Sequence, residues 1–102
     1  MNEPRFHSEA RVELLESARF YEAERSGLGE SFTVEVERTI GFILANPRAG
    51  TPIWNHFRSV LVRRFPYATI YRALGDTVYV VAIAHQHRHP HYWRKRKSTL
   101  PT

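Results

Sequence analysis

Hydrophobic residues recur with helical spacing in the first half of the chain and with strand spacing in the second. Ala10, Leu14, Ala18 and Tyr21 stand three or four apart, Leu15 widens the stripe, and Glu13, Glu16, Arg19 and Glu22 fill the opposite face. That period predicts an amphipathic helix over residues 9–25. Ser8 is its expected N-cap, because a hydroxyl can accept from a free amide of the first turn. Gly27 and Gly29 are its expected stop. The next segment carries two periods at once. Phe32, Val34 and Val36 alternate as in a strand, whereas Phe32, Val36, Ile40, Ile43 and Leu44 keep helical spacing. The helical pattern lasts longer and decides the reading, although Gly41 weakens it by about 1 kcal/mol relative to alanine. Asn46-Pro47 ends this second helix.

Beyond the helices the residue types change. Residues 48–53, with Gly50 and Pro52, are expected to be a loop. Residues 57–65, 68–74 and 77–85 are rich in Val, Ile, Tyr and Phe and are expected to be strands. Phe65-Pro66 separates the first two, and Gly75-Asp76 is a two-residue hairpin signal between the others. The run Tyr79-Val80-Val81-Ala82-Ile83 has no polar alternation, which suits a central strand covered on both faces. Arg5-Phe6-His7 is a short extended candidate behind Pro4. The expected fold is α+β: a short N-terminal strand and an antiparallel helical hairpin packed on a three- to four-stranded antiparallel sheet.

The 102 residues fit a single domain over residues 1–102, with 98–102 expected as a loose tail. A chain this short has only one thin core. It lacks cysteine, which excludes a disulfide scaffold, a Cys-ligated zinc ribbon and a thiol nucleophile. The longest apolar run, Val78 to Ala84, is far below the roughly 20 residues that span a bilayer. With no apolar stretch behind Met1-Asn2-Glu3, the expectation is a cytoplasmic protein. Charge divides sharply. Residues 1–46 hold nine Glu against five Arg, a balance of −4; residues 47–102 hold ten Arg or Lys against Asp76, a balance of +9. A basic half of this kind suits a polyanion or an acidic protein partner, or merely a solvated surface.

Candidate chemistry gathers in the C-terminal segment, where His85, His87, His89 and His91 alternate among Arg88, Tyr92, Trp93, Arg94, Lys95, Arg96 and Lys97. An extended chain would project the four imidazoles to one side, as a metal site requires. Pro90 interrupts such a strand, however, and no nearby carboxylate completes the shell, so neither a metal nor a cofactor is expected. RNA cleavage needs a base, an acid and cations for the phosphate. Histidine could serve either proton role, Arg63, Arg64 and Arg88 could hold phosphate, and Tyr67, Tyr92 and Trp93 could stack on bases. Tyr92 and Trp93 are also suited to anchoring the tail in the core, and for Trp93 that is the favoured reading. An acidic peptide could occupy the same basic, aromatic surface.

Several blocks resemble the ParE/RelE superfamily of bacterial toxins from type II toxin–antitoxin, or plasmid-stabilisation, pairs. They are Tyr21-Glu22 followed by Gly27-Leu28-Gly29-Glu30-Ser31-Phe32; Asn46-Pro47; Arg63-Arg64-Phe65-Pro66-Tyr67; and Ala84-His85 leading to Arg88, Pro90, Tyr92-Trp93 and Arg96. The resemblance implies the α+β fold already read from the pattern. It also implies a growth-inhibiting toxin in a heteromeric complex with a cognate antitoxin, whose acidic or apolar C-terminal segment covers it. RelE-like members cleave mRNA on the ribosome, whereas ParE-like members poison DNA gyrase by binding. RelE-like nucleases place an Arg after the tyrosine corresponding to Tyr67, and this chain has Ala68 there. The Gly-Leu-Gly turn and the Phe-Pro-Tyr block look more ParE-like, which favours gyrase. On the nuclease alternative the catalytic set would be His85, Arg88 and Tyr92. Binding would fall to Arg63, Arg64, Tyr67, His87, Arg94 and Arg96 on either mechanism. A stand-alone nucleic-acid-binding module is the remaining alternative.

Overall fold

A computed structural model describes residues 3–100. The elements run β1 (Arg5–Phe6), α1 (Ser8–Glu24), α2 (Leu28–Ala45), β2 (Thr51–Trp54), β3 (Phe57–Leu61), β4 (Tyr67–Leu74) and β5 (Thr77–His85), followed by a 3-10 turn at Arg94–Thr99. The sheet order is β1-β5-β4-β3-β2. Its last four strands in chain order form an antiparallel meander, while β1 pairs parallel to β5 through Arg5–Tyr79 and Phe6–Val80. The expected α+β architecture is therefore present, with five strands.

The first helix begins differently from the hydroxyl-cap expectation. His7, not Ser8, caps α1: it is extended (φ −62°, ψ 140°), and its Nδ1 accepts from the Glu9 amide at 3.1 Å. Ser8 is already helical. Gly27 takes the left-handed conformation at the junction (φ 87°) that other residues avoid. The first amides of α2 are then satisfied from α1, because the Glu22 carboxylate accepts from Gly27 at 3.0 and 3.1 Å and from Gly29 at 3.1 Å. Gly29 thus belongs inside α2 rather than stopping α1. The helical reading of residues 32–44 holds: Phe32, Val36, Ile40 and Ile43 are buried against the sheet.

The expected loop at 48–53 ends in a strand. Thr51–Trp54 pairs with β3, and Asn55 and His56 turn between them with φ of 47° and 71°. Pro52 is a loop signal locally, but β2 is an edge strand, where a missing N–H forfeits no ladder bond. At the other end β3 stops at Leu61, short of the expected Phe65. Arg63 and Arg64 instead form a turn, Arg64 at φ 71°, closed by the Val62 amide bonding to the Tyr67 carbonyl at 2.9 Å.

Each face of the sheet carries its own apolar cluster. One joins Ala10, Phe32, Val36, Ile40 and Ile43 of the helices to Tyr67, Tyr71, Val78, Val80 and Ile83 of the sheet. The other joins Phe57, Ile70, Val81, Ala82, Ala84 and Trp93, with Trp54, Tyr92 and Leu100 at its border. The expected double coverage of β5 is met by helices on one side and the C-terminal segment on the other. A register shift opposite Ile70 and Tyr71 leaves Val81 as an extra residue on β5, so both faces receive apolar side chains. Of the expected loose tail, Ser98 and Thr99 close the 3-10 turn and Leu100 packs on the second cluster; residues 101–102 lie outside the described residues.

Candidate functional site

The second face holds a groove of about 240 Å³, walled by Ala68 and Ile70 of β4, His85 of β5, and Arg88, Tyr92, Trp93 and Arg94 of the tail. Local turns shape this wall. The Arg88 amide bonds to the His85 carbonyl at 3.0 Å, Tyr92 to His89 at 3.2 Å, and Arg94 to His91 at 3.1 Å. The chain past His85 is therefore coiled, not extended.

The histidines pair instead of facing one way. His85 Nδ1 accepts from the His87 amide at 3.0 Å and His89 Nδ1 from the His91 amide at 3.1 Å, with ring centroids 5.1 and 5.5 Å apart. Desolvation, then the Arg94 guanidinium and His89, pull the exposed His91 imidazole below its usual pKa. Among the described residues no three His, Asp or Glu gather as a metal would need.

The rest of the expected site set divides by place. His85, Arg88, Tyr92 and Arg94 share the groove. Arg94 lies over the Trp54 ring with its guanidinium carbon 4.7 Å from the centroid, a cation–π contact. His87 is exposed beside the groove. Tyr67 is buried among Tyr21 and Phe32, its ring 5.0 Å from that of His85. Arg63 and Arg64 stand on the β3–β4 turn, where Arg64 approaches the Glu35 carboxylate at 4.0 Å.

Arg96 and Tyr92 meet a residue that the sequence did not single out as functional. Glu13 of α1, its side chain 11% exposed, accepts from Arg96 Nη1 at 3.1 Å and Nη2 at 2.8 Å. It also accepts from the Tyr92 hydroxyl at 2.7 Å, from Arg88 Nη1 at 3.3 Å and from the Ile83 amide at 3.0 Å. The Arg96 guanidinium, 4% exposed, donates in addition to the Val81 carbonyl at 3.0 Å. Burial, then the bond to Glu13, push the Tyr92 phenol well above its usual pKa. Burial alone would lower the pKa of Arg96, but the bonds and charge of Glu13 carry it upward. Arg88 stacks over the Tyr92 ring at 3.6 Å and remains half exposed.

Chemically, this is a cationic and aromatic wall. His85 keeps Nε2 as its free ring nitrogen, and Arg88 keeps donors for an anion. The Tyr92 hydroxyl is committed to Glu13. The helical period had placed Glu13 on the solvent face of α1 among Glu16 and Glu22.

Solved bacterial toxins share this architecture. A chromosomal ParDE toxin–antitoxin system from P. aeruginosa superposes with a TM-score of 0.72 at 17% identity, over 83% of this chain and 96% of that one. The isolated E. coli RelE toxin superposes with a TM-score of 0.58 at 19% identity, over 94% and 96%. No curated protein matches the chain. Residues 5–90 match the family model of the ParE toxin of parDE type II toxin–antitoxin systems. The fold is thus that of the ParE/RelE toxins, and the chain belongs to the ParE toxin family. The matched span ends at Pro90, so Tyr92, Trp93 and Arg96 lie beyond it. Among the described residues no helix is long and apolar enough to cross a membrane.

Proposed function

We propose that this ParE-family toxin inhibits growth in the cytoplasm by binding DNA gyrase, without itself catalysing a reaction, and that a cognate antitoxin neutralises it in a heteromeric complex. The observation that carries the mechanism is the 2.7 Å bond from the Tyr92 hydroxyl to Glu13. A phenol donated to a buried carboxylate and held above its usual pKa is a poor proton donor to a ligand in the groove. Ala68, at the position where RelE-like nucleases carry Arg, supports the same reading. The exposed cations for a partner are then Arg63, Arg64 and Arg88, with the half-buried Arg94 and the exposed His87 completing the set. An antitoxin with an acidic, apolar C-terminal segment matches a surface on which Arg94 and Lys97 flank the partly open Trp54 ring.

Ribosome-dependent mRNA cleavage is the second reading, favoured by His85 and Arg88 sharing one groove wall. Induced expression with an SOS reporter and transcript-end mapping separates the two. Gyrase poisoning predicts SOS induction and broken chromosomes with intact transcripts. Rapid ribosome-dependent mRNA ends with intact chromosomes would overturn it.

A further inference from the structure

We propose that Glu13 is a positioning residue for the groove: its carboxylate latches the C-terminal segment to β5 and thereby sets where Arg88 and the aromatic wall stand. Beyond Arg88 the backbone does not do this. The described backbone hydrogen bonds of residues 88–100 are all local turns, reaching back only three residues. The Gln86 amide donates to the Pro66 carbonyl at 2.8 Å, and Arg88, whose amide takes the His85 carbonyl at the end of β5 at 3.0 Å, is the last described residue tied to the sheet by its own backbone. Beyond it the segment is held by side chains.

Three kinds of side-chain anchor serve that role. Trp93 packs edge-on to Phe57 and Trp54, at 5.1 and 5.7 Å between centroids. Thr99 accepts from His7 Nε2 at 2.6 Å, the His7 Nδ1 being already occupied by the Glu9 amide. The third anchor, Glu13, reaches the groove wall itself, through Arg88 and Tyr92, and takes Arg96 in a two-pronged pair as well. Such paired N–H donors fix orientation as well as distance.

The geometry of β5 explains why the pair sits there. β1 covers only Tyr79 and Val80, and the His7 amide takes the Val80 carbonyl at 2.9 Å. Further along that edge, Arg96 donates to the Val81 carbonyl and Glu13 accepts from the Ile83 amide. The ion pair continues the sheet where the short strand ends, satisfying backbone groups that would otherwise be left unpaired. Both charges are largely withdrawn from water, so removing one partner leaves the other buried and uncompensated. Arg96 has a further carboxylate, Glu9, at 3.7 Å, but that side chain is 60% exposed and holds neither Tyr92 nor Arg88.

The latch is testable in the purified full chain by residue-resolved hydrogen exchange, compared with growth inhibition on induction; the link to toxicity rests on the binding reading above. Glu13→Gln is expected to raise exchange of the Arg94, Arg96 and Leu100 amides by roughly a hundredfold while β4 amides stay protected. Colony formation under induction should recover in parallel. Unchanged exchange in the tail would overturn the proposal. So would a uniform loss of protection that includes β4, because Glu13 would then hold the whole fold. Tyr92→Phe removes one hydroxyl from the latch and is expected to raise tail exchange about tenfold. No change there also counts against the proposal. Faster tail exchange with undiminished growth inhibition would uphold the latch and overturn the assignment of toxicity to the groove.

Discussion

The two faces of the sheet are closed by different physics. On the helix side, Phe32, Val36, Ile43, Tyr71 and Val80 are fully buried in a continuous apolar layer assembled from helices and strands. Burial there is non-directional and shared among many side chains. On the tail side a smaller cluster around Trp93 is supplemented by one acidic side chain receiving three partners from the tail. Hydrogen bonds of that kind are directional, and losing one partner strands the rest. The helix side therefore supplies the stability that keeps the sheet folded. The tail side supplies the geometry of the groove.

This contrast breaks most visibly at Phe32. Phe32→Ala removes a fully buried ring packed 4.9 Å from Tyr67 and 5.2 Å from Tyr21, and is expected to cost about 3–5 kcal/mol of unfolding free energy in denaturant titration. Loss of that size should affect every amide of the sheet. An effect confined to the helices would show that the two sides fold separately.

Gly50→Ala probes the polar exception on the helix side. The Tyr71 hydroxyl crosses the core to donate to the Pro47 carbonyl at 2.7 Å and to accept from the Gly50 amide at 3.1 Å. A Cβ at Gly50 would lie 2.6 Å from that hydroxyl oxygen and 2.9 Å from the ring, and the fully buried Tyr71 has nowhere to retreat. The expected loss is about 1–3 kcal/mol. A neutral result in thermal unfolding would show the loop to be softer than its contacts imply.

The tail side is sharpened by pH. The folded Tyr92 phenol holds its proton above the usual pKa, so in alkaline solution the folded chain binds more protons than the unfolded one. Its contribution is fully present below the ordinary tyrosine value of about 10 and is lost as pH rises from there through the folded value. Stability should decline over that window, and Tyr92→Phe should flatten the decline. Tyr21, raised by burial and then by Tyr67, contributes a remaining slope in the same direction. Identical alkaline slopes with and without the Tyr92 hydroxyl would contradict the assignment.

The smallest effect is expected at Arg63, exposed on the β3–β4 turn. Arg63→Ala should alter stability by no more than about 0.5 kcal/mol while weakening growth inhibition if the turn binds a target. Equal toxicity at equal expression would remove Arg63 from the binding surface.

Legibility in the sequence followed the same division. The helix-side core was readable because Phe32, Val36, Ile40 and Ile43 obey one period and the strands of the meander are adjacent in sequence. Residues 51–54 escaped notice because Gly50 and Pro52 are loop signals locally, and only pairing with β3 makes an edge strand of them. The His7 cap escaped for a related reason: imidazole is an uncommon cap, and its second nitrogen finds a partner 92 residues away. At the site, the basic and aromatic character of residues 85–97 was plain. Glu13 was not, since nothing within α1 distinguishes it from neighbours that face solvent.

By itself the sequence determined the two helices, the central meander and the charge division between halves, because period, turn chemistry and composition act over a few neighbouring residues. It also carried the blocks that resemble the ParE/RelE superfamily. Only tertiary structure decided that the parallel strand at Arg5–Phe6 stops at Val80, leaving a carbonyl and an amide of β5 uncovered. From that arose the place for Arg96 and Glu13, a pair 83 residues apart in sequence. A buried ion pair is a relation between surfaces brought together by folding, and no local pattern of either segment encodes it.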